Sequence, residues 1–138
     1  MSISGVLIRF LGAYVVLMIG ASNVLRLLGI TSSNMGVDTA VLIGAVLWSC
    51  RAFGVKNNRY FTAPEKTKVI LGLIVVDLSL QIFLAWIILA ITGEVMKIST
   101  LAFALVVVAV LHSLVIVCFV DVGSKLVAKH LQKQVVDE

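Results

Sequence analysis

Four long apolar runs divide this chain, at about 3–25, 38–53, 69–92 and 100–122, separated by short stretches where charged residues collect. Each run approaches or exceeds the roughly 20 residues that a helix needs to cross a hydrocarbon core about 30 Å thick. An α-helix also satisfies its backbone polar groups within one segment, which lipid demands. The pattern therefore predicts an all-α membrane protein: a four-transmembrane-helix bundle over 1–123, followed by a basic amphipathic tail over 124–138. The first run reads as a retained helix, because no basic cluster precedes it and it exceeds the roughly 7–15 apolar residues of a secretory signal.

Composition narrows the class. Of 138 residues, 61% are hydrophobic and 13% are charged, against roughly 45–50% apolar and about 25% charged in a soluble domain. The lipid bilayer is the first partner, and too little chain remains for a catalytic head or a nucleotide-binding domain. Net charge is +4, but basic residues in a membrane chain report orientation, so no nucleic-acid partner is expected. Arg51, Lys56, Arg59, Lys66 and Lys68 surround the second loop, and Lys125, Lys129 and Lys133 follow the last run, whereas the other loops carry only Arg26 and Lys97. The positive-inside rule places the basic loop and both termini in the cytoplasm.

Within that loop, Thr62, Pro64 and Glu65 have the spacing of a capping box, with proline tolerated in the first turn. The third helix is expected to begin near Thr62, ahead of its apolar run, and to reach about 45 Å at 1.5 Å per residue. In the tail, Leu126, Val127, His130, Leu131 and Gln134 recur at helical spacing, with lysines on another side. That pattern fits a helix lying on the inner membrane surface, and equally a continuation of the fourth span.

Small residues mark candidate packing faces. Gly36, Ala40 and Gly44 recur every four residues, and Gly12 and Gly20 lie eight apart. Such rows let helix backbones approach closely; packing within the chain is the preferred reading over a dimer interface. Trp48, Tyr60 and Phe61 suit an interfacial aromatic belt. Trp86 lies deeper, where its indole N–H would seek Tyr14 or Gln81. Cys50 and Cys118 are expected as buried reduced thiols, and no Cys/His spacing indicates a metal.

The chemistry worth following lies inside the apolar runs. Asp77 is about 13 Å along the third span from Lys68, and His112 falls at nearly the same depth in the fourth. Gln81 is one turn from Asp77, and Ser113 follows His112. Ionisable residues at such depth often mark proton or ion pathways; they also form interhelical hydrogen bonds worth roughly 0.6–2 kcal/mol. The structural reading is preferred, since one polar layer makes a short pathway. Arg9 can snorkel to the inner surface or pair with Asp77 or Asp121, while Arg26 and Asp38 bracket the first outer loop as a candidate clamp. No metalloprotease, serine-hydrolase, P-loop or dinucleotide motif occurs, and His130 is expected on the exposed tail. No catalytic residue, metal or cofactor is therefore assigned.

The Leu28–Gly29 pair, the small-residue run Val41-Leu-Ile-Gly-Ala45, the loop with Arg59 and Thr62-Ala-Pro-Glu65-Lys66, and the basic tail together resemble a family of small bacterial four-span inner-membrane proteins of no established function. The resemblance covers most of the chain and implies a bacterial inner-membrane location and a cytoplasmic loop of fixed shape, but no active site. Small multidrug exporters and fluoride channels share the four-span size; their central glutamate and Gly-rich Arg motif are missing here. The leading expectation is a non-enzymatic protein that docks its helices against another membrane protein, one concrete form being an immunity protein against a membrane-inserting toxin. The alternative is a small oligomeric channel or proton-coupled transporter using Asp77 and His112 with Gln81 and Ser113. A third is an accessory subunit held by its basic loop and tail, each Lys or Arg near anionic lipid adding about 1 kcal/mol.

Overall fold

The computed structural model describes residues 1–29, 35–92 and 98–136, with the side chains of these except at 35, 88, 92, 98 and 128–136. Four helices account for nearly all of it: α1 (Ile3–Leu27), α2 (Met35–Asn57), α3 (Ala63–Thr92) and α4 (Ile98–Val136). All four are long and apolar enough to cross a membrane. The protein is an all-α four-helix bundle of the multi-pass membrane class. α2 outlasts its apolar run by about a turn at each end, because helical hydrogen bonding continues through Lys56 and Asn57 whatever their polarity.

Local chemistry sets several ends. Ser2 caps α1 by accepting from the Gly5 N–H at 3.3 Å, as N-cap hydroxyls do. At the other end Gly29 takes the left-handed conformation, with φ 71°, and donates to the Arg26 carbonyl at 3.1 Å, a turn that glycine adopts without steric cost. Asn58 follows α2 with φ 48°, asparagine being one of the few other residues at ease there. α4 runs unbroken through Val136, so the tail continues the fourth helix rather than forming a separate one. The side chains of Lys129, His130, Leu131, Lys133 and Gln134, and Lys97 altogether, lie outside the described residues.

The order of packing departs from the order of the chain. α1 lies against α2 and α3, α4 lies against α2 and α3, and the pairs α1/α4 and α2/α3 stand diagonally across the bundle. The five residues between α2 and α3 therefore carry the chain across one end of the bundle. Three helices reach the core through stripes spaced four apart, Val6, Phe10 and Tyr14 on α1, Val69, Leu73 and Asp77 on α3, and His112, Ile116 and Val120 on α4. Residues four apart share a helix face, and these faces meet Leu42, Ala45, Val46, Cys50 and Phe53 of α2. Elsewhere large apolar side chains such as Ile8, Val16, Ile82, Phe103 and Val106 face outward. That surface suits lipid and would be a liability in water.

Of the predicted small residues Gly44 stands against another helix, and the closest approaches are made by other glycines. A methyl group on Gly123 would stand 2.9 Å from Cys50 Cβ, one on Gly72 would stand 2.8 Å from Leu7 Cδ2, and one on Gly54 would collide with the Val127 side chain. Gly44 has Leu17 within 3.4 Å of that position, whereas Gly12 and Gly20 have nothing within 4 Å. Gly36 and Ala40 are exposed. Spacing identifies a small-residue row, but only neighbouring helices decide which row is used.

A ranking of alanine substitutions follows. Gly123→Ala pushes against a Cβ fixed to the α2 backbone and should cost about 1–3 kcal/mol, the usual range for overpacking. Gly72→Ala meets only the mobile end of Leu7 and should cost less, and Gly12→Ala should leave the bundle unchanged. Thermal unfolding in mild detergent checks that order; equal Tm values for all three would refute the seam between α2 and α4.

Candidate functional site

α3 and α4 lie side by side, and Asp77 and His112 occupy matching positions on their buried stripes, 1% and 6% exposed. His112 Nδ1 stands 3.0 Å from Asp77 Oδ2. Gln81, one turn further on, donates through Nε2 to Asp77 Oδ2 at 2.6 Å and lies 2.9 Å from His112 Nδ1. The three atoms form a small triangle. The two amide hydrogens of Gln81 diverge too widely to point down both of its edges, so a proton on the Nδ1···Oδ2 edge completes the set. With Nδ1–H donating to the carboxylate, His112 and Asp77 satisfy one another across the helix pair.

The triangle leaves two acceptors over. Asp77 Oδ1 and Gln81 Oε1 are buried without a hydrogen-bond partner, each costing about 1–3 kcal/mol. Ser113 is not part of the layer: one residue beyond His112 it turns to another face, and it is only partly buried. Tyr14 is buried on the facing helix α1. Trp86, expected to bond with Tyr14 or Gln81, instead points outward with 66% of its surface exposed. Trp48 does the same, and a lipid-facing position lets each ring bury its apolar face in hydrocarbon.

A second cluster closes the end of the bundle that carries the α2–α3 loop. Glu65 accepts two hydrogen bonds from Arg59, at 2.7 and 2.8 Å, and a third from the Thr62 N–H at 2.9 Å. The capping box is thus half formed as predicted: the Thr62 hydroxyl also turns to Glu65, at 3.1 Å, rather than to the helix backbone. Arg59 in turn sits 5.5 Å from the ring centroid of Phe53, which stacks on Phe61 at 4.2 Å. The loop is clamped at both ends, since the Met1 ammonium also donates to Asn57, whose amide returns a bond to the Met1 carbonyl at 3.2 Å.

The ion pairs differ from those expected. Asp121 is held by Lys66, not by Arg9, because α1 lies diagonally opposite α4 while α3 is adjacent. Arg9 is exposed and makes no ion pair among the described residues, to Asp77 or to any other. Arg26 and Asp38 do not pair either; each sits in a terminal turn of its own helix, Arg26 at a C-terminus and Asp38 at an N-terminus, where its charge suits the macrodipole. Of the basic loop residues, Arg51, Lys56 and Lys68 are exposed. Cys50 is buried as expected, but Cys118 is exposed. Among the described residues, no three His, Cys, Asp or Glu side chains converge on a metal-sized site. The Lys66–Asp121 pair was beyond the reach of sequence, since it joins residues 55 positions apart.

Fold and site define a multi-pass membrane protein whose third and fourth helices are tied by a covered polar layer. Beyond that class the comparisons are silent: no protein-family model, curated protein or solved structure matches the chain.

The layer's energetics are measurable by a double-mutant cycle. Asp77→Leu and His112→Leu should each destabilise the bundle by about 1–3 kcal/mol by orphaning the remaining partner, and the cycle should show a coupling of about 0.6–2 kcal/mol. Additive single effects in equilibrium unfolding would mean that the two groups do not interact. In the loop, the Arg59 hydrogen bonds hold the Glu65 carboxyl down at about 2. A lowered acid stabilises above its unfolded value of about 4.3 and loses that contribution as pH falls through the folded one. Carboxylate NMR should therefore place the Glu65 midpoint near 2, and Arg59→Ala should raise it; a midpoint in the ordinary range would refute the clamp.

Proposed function

We propose that this protein is a non-enzymatic membrane component that acts by docking its helices against another membrane protein. The observation that carries the proposal is the unused face of α1. Gly12 and Gly20 have room for a side chain that no helix of this chain fills, while Arg9, Gly12, Ala13 and Trp48 line an open groove of about 450 Å³. Small residues in a span favour close helix approach, and an unpaired Arg9 beside them favours a partner carrying a carboxylate at that depth. The preferred occupant is a transmembrane helix with small residues and one acidic side chain. The coverage of Asp77 and His112 supports the same reading, because a conducting path past them would need access.

For a bacterial inner-membrane protein of the family this chain resembles, the concrete form we favour is immunity against a membrane-inserting toxin, whose helix the groove would occupy. A second reading draws on the unsatisfied Asp77 Oδ1 and Gln81 Oε1: two acceptors facing no donor are what a proton-coupled transporter would present, in an oligomer whose opening admits water.

Purification of the tagged protein from its own membrane in mild detergent separates these readings. Docking predicts a stoichiometric membrane partner that Gly12→Leu with Gly20→Leu removes and Asp77→Asn retains. A homo-oligomer with no second protein, whose proton flux in vesicles is abolished by Asp77→Asn, would overturn docking in favour of transport.

A further inference from the structure

Independently of helix docking, the structure assigns a phosphate-binding site at the cytoplasmic end, between the α2–α3 loop and α4. A cleft of about 210 Å³ opens there, with Tyr60, Lys66, Asp121, Ser124 and Lys125 as its polar lining. Phe61 and Val120 supply its apolar lining. Lys66 and Asp121 neutralise one another, and Ser124 donates to the Asp121 carbonyl at 2.7 Å. That leaves Lys125 as an uncompensated cation, forming no ion pair among the described residues, and the Tyr60 hydroxyl, buried and lacking any hydrogen-bond partner. A buried phenol without a partner is unusual enough to require a reason. An anion with several acceptor oxygens would pair with Lys125 and, once the Tyr60 ring turns its hydroxyl into the cleft, accept a hydrogen bond from it as well.

The cleft's place in the fold indicates the chemistry of that anion. Lys66 stands just before the apolar run that begins at Val69, and Asp121 stands just before the run on α4 ends, so the cleft opens at headgroup depth. One net positive charge matches a singly charged phosphodiester, and the apolar lining from Phe61 and Val120 matches the glycerol that follows it. The backbone of the site is held in place: the Phe53–Phe61 stack and the Arg59–Glu65 clamp fix the segment that carries Tyr60. The ligand is thus a phosphate group, supplied by an anionic glycerophospholipid or by free phosphate.

Native mass spectrometry of the full chain in mild detergent, with phosphatidylglycerol and phosphatidylcholine in competition, tests the site. The wild type should retain phosphatidylglycerol several-fold over phosphatidylcholine. Lys125→Gln should reduce that retention about fivefold, as expected for one basic residue near an anionic headgroup. Tyr60→Phe removes a hydroxyl that bonds nothing within the protein, so it should lower retention without lowering Tm. Lys56→Gln, at the same end but outside the cleft, is the control. If inorganic phosphate instead raises the Tm of the wild type but not of Tyr60→Phe, with no lipid retained, the anion is free phosphate. No preference for phosphatidylglycerol together with no phosphate effect overturns the site, as does an equal loss from Lys56→Gln.

Discussion

Lipid gives apolar helices little reason to cohere, so this bundle depends on α2 and α4 meeting at backbone distance. Where helices already contact hydrocarbon, close packing and interhelical hydrogen bonds take over from the hydrophobic effect. Gly123 supplies that closeness against Cys50, and Gly54 supplies it against Val127. The second contact lies beyond the apolar run of α4, so the seam continues into the basic tail. α2 is consequently the most enclosed helix, and its small residues between Val41 and Cys50 let the stripes of α1 and α4 reach it.

Polar interactions are distributed according to where they can be satisfied. In the interior, one layer joins α3 to α4, and its two participants from different helices sit at equal depth. At the end that carries the α2–α3 loop the polar contacts are numerous and varied: Met1 with Asn57, Lys66 with Asp121, and Glu65 with Arg59 and Thr62. These bonds tie the start of α1 to the end of α2, and α3 to α4, around a loop that crosses the bundle diagonally. A loop so placed would otherwise leave its backbone groups to compete for water at the headgroups. Its rigidity is what gives the cleft beside Tyr60 a defined shape.

The same division organises function. The polar layer is enclosed, so its plainest contribution is to fix the register of α3 against α4. Among the open surfaces of the described residues are the groove on α1 and the cleft beside the α2–α3 loop. In the readings proposed above, the first would receive another helix beside its small residues and Arg9, and the second would receive an anion beside Lys125 and Tyr60. They lie on different parts of the molecule and can act separately.

Much of this was legible along the chain. Four apolar runs between charged stretches determined the number of spans, and the asymmetry of lysine and arginine set an expectation for their orientation. Helical rise alone placed Asp77 and His112 at one depth, and Thr62 with Glu65 marked the start of α3 to within a residue. The neighbours were not legible, because these helices are apolar on every side and carry no single hydrophobic stripe to show which face turns inward. For that reason Gly12 and Gly20 looked like packing residues while Gly54, Gly72 and Gly123 did the packing, and Trp86 looked buried while it faces outward. Arg9 lost Asp121 to Lys66 on the same ground: depth along a helix follows from counting residues, whereas adjacency follows from how four cylinders are arranged, and that was decided only where their backbones could come close enough to touch.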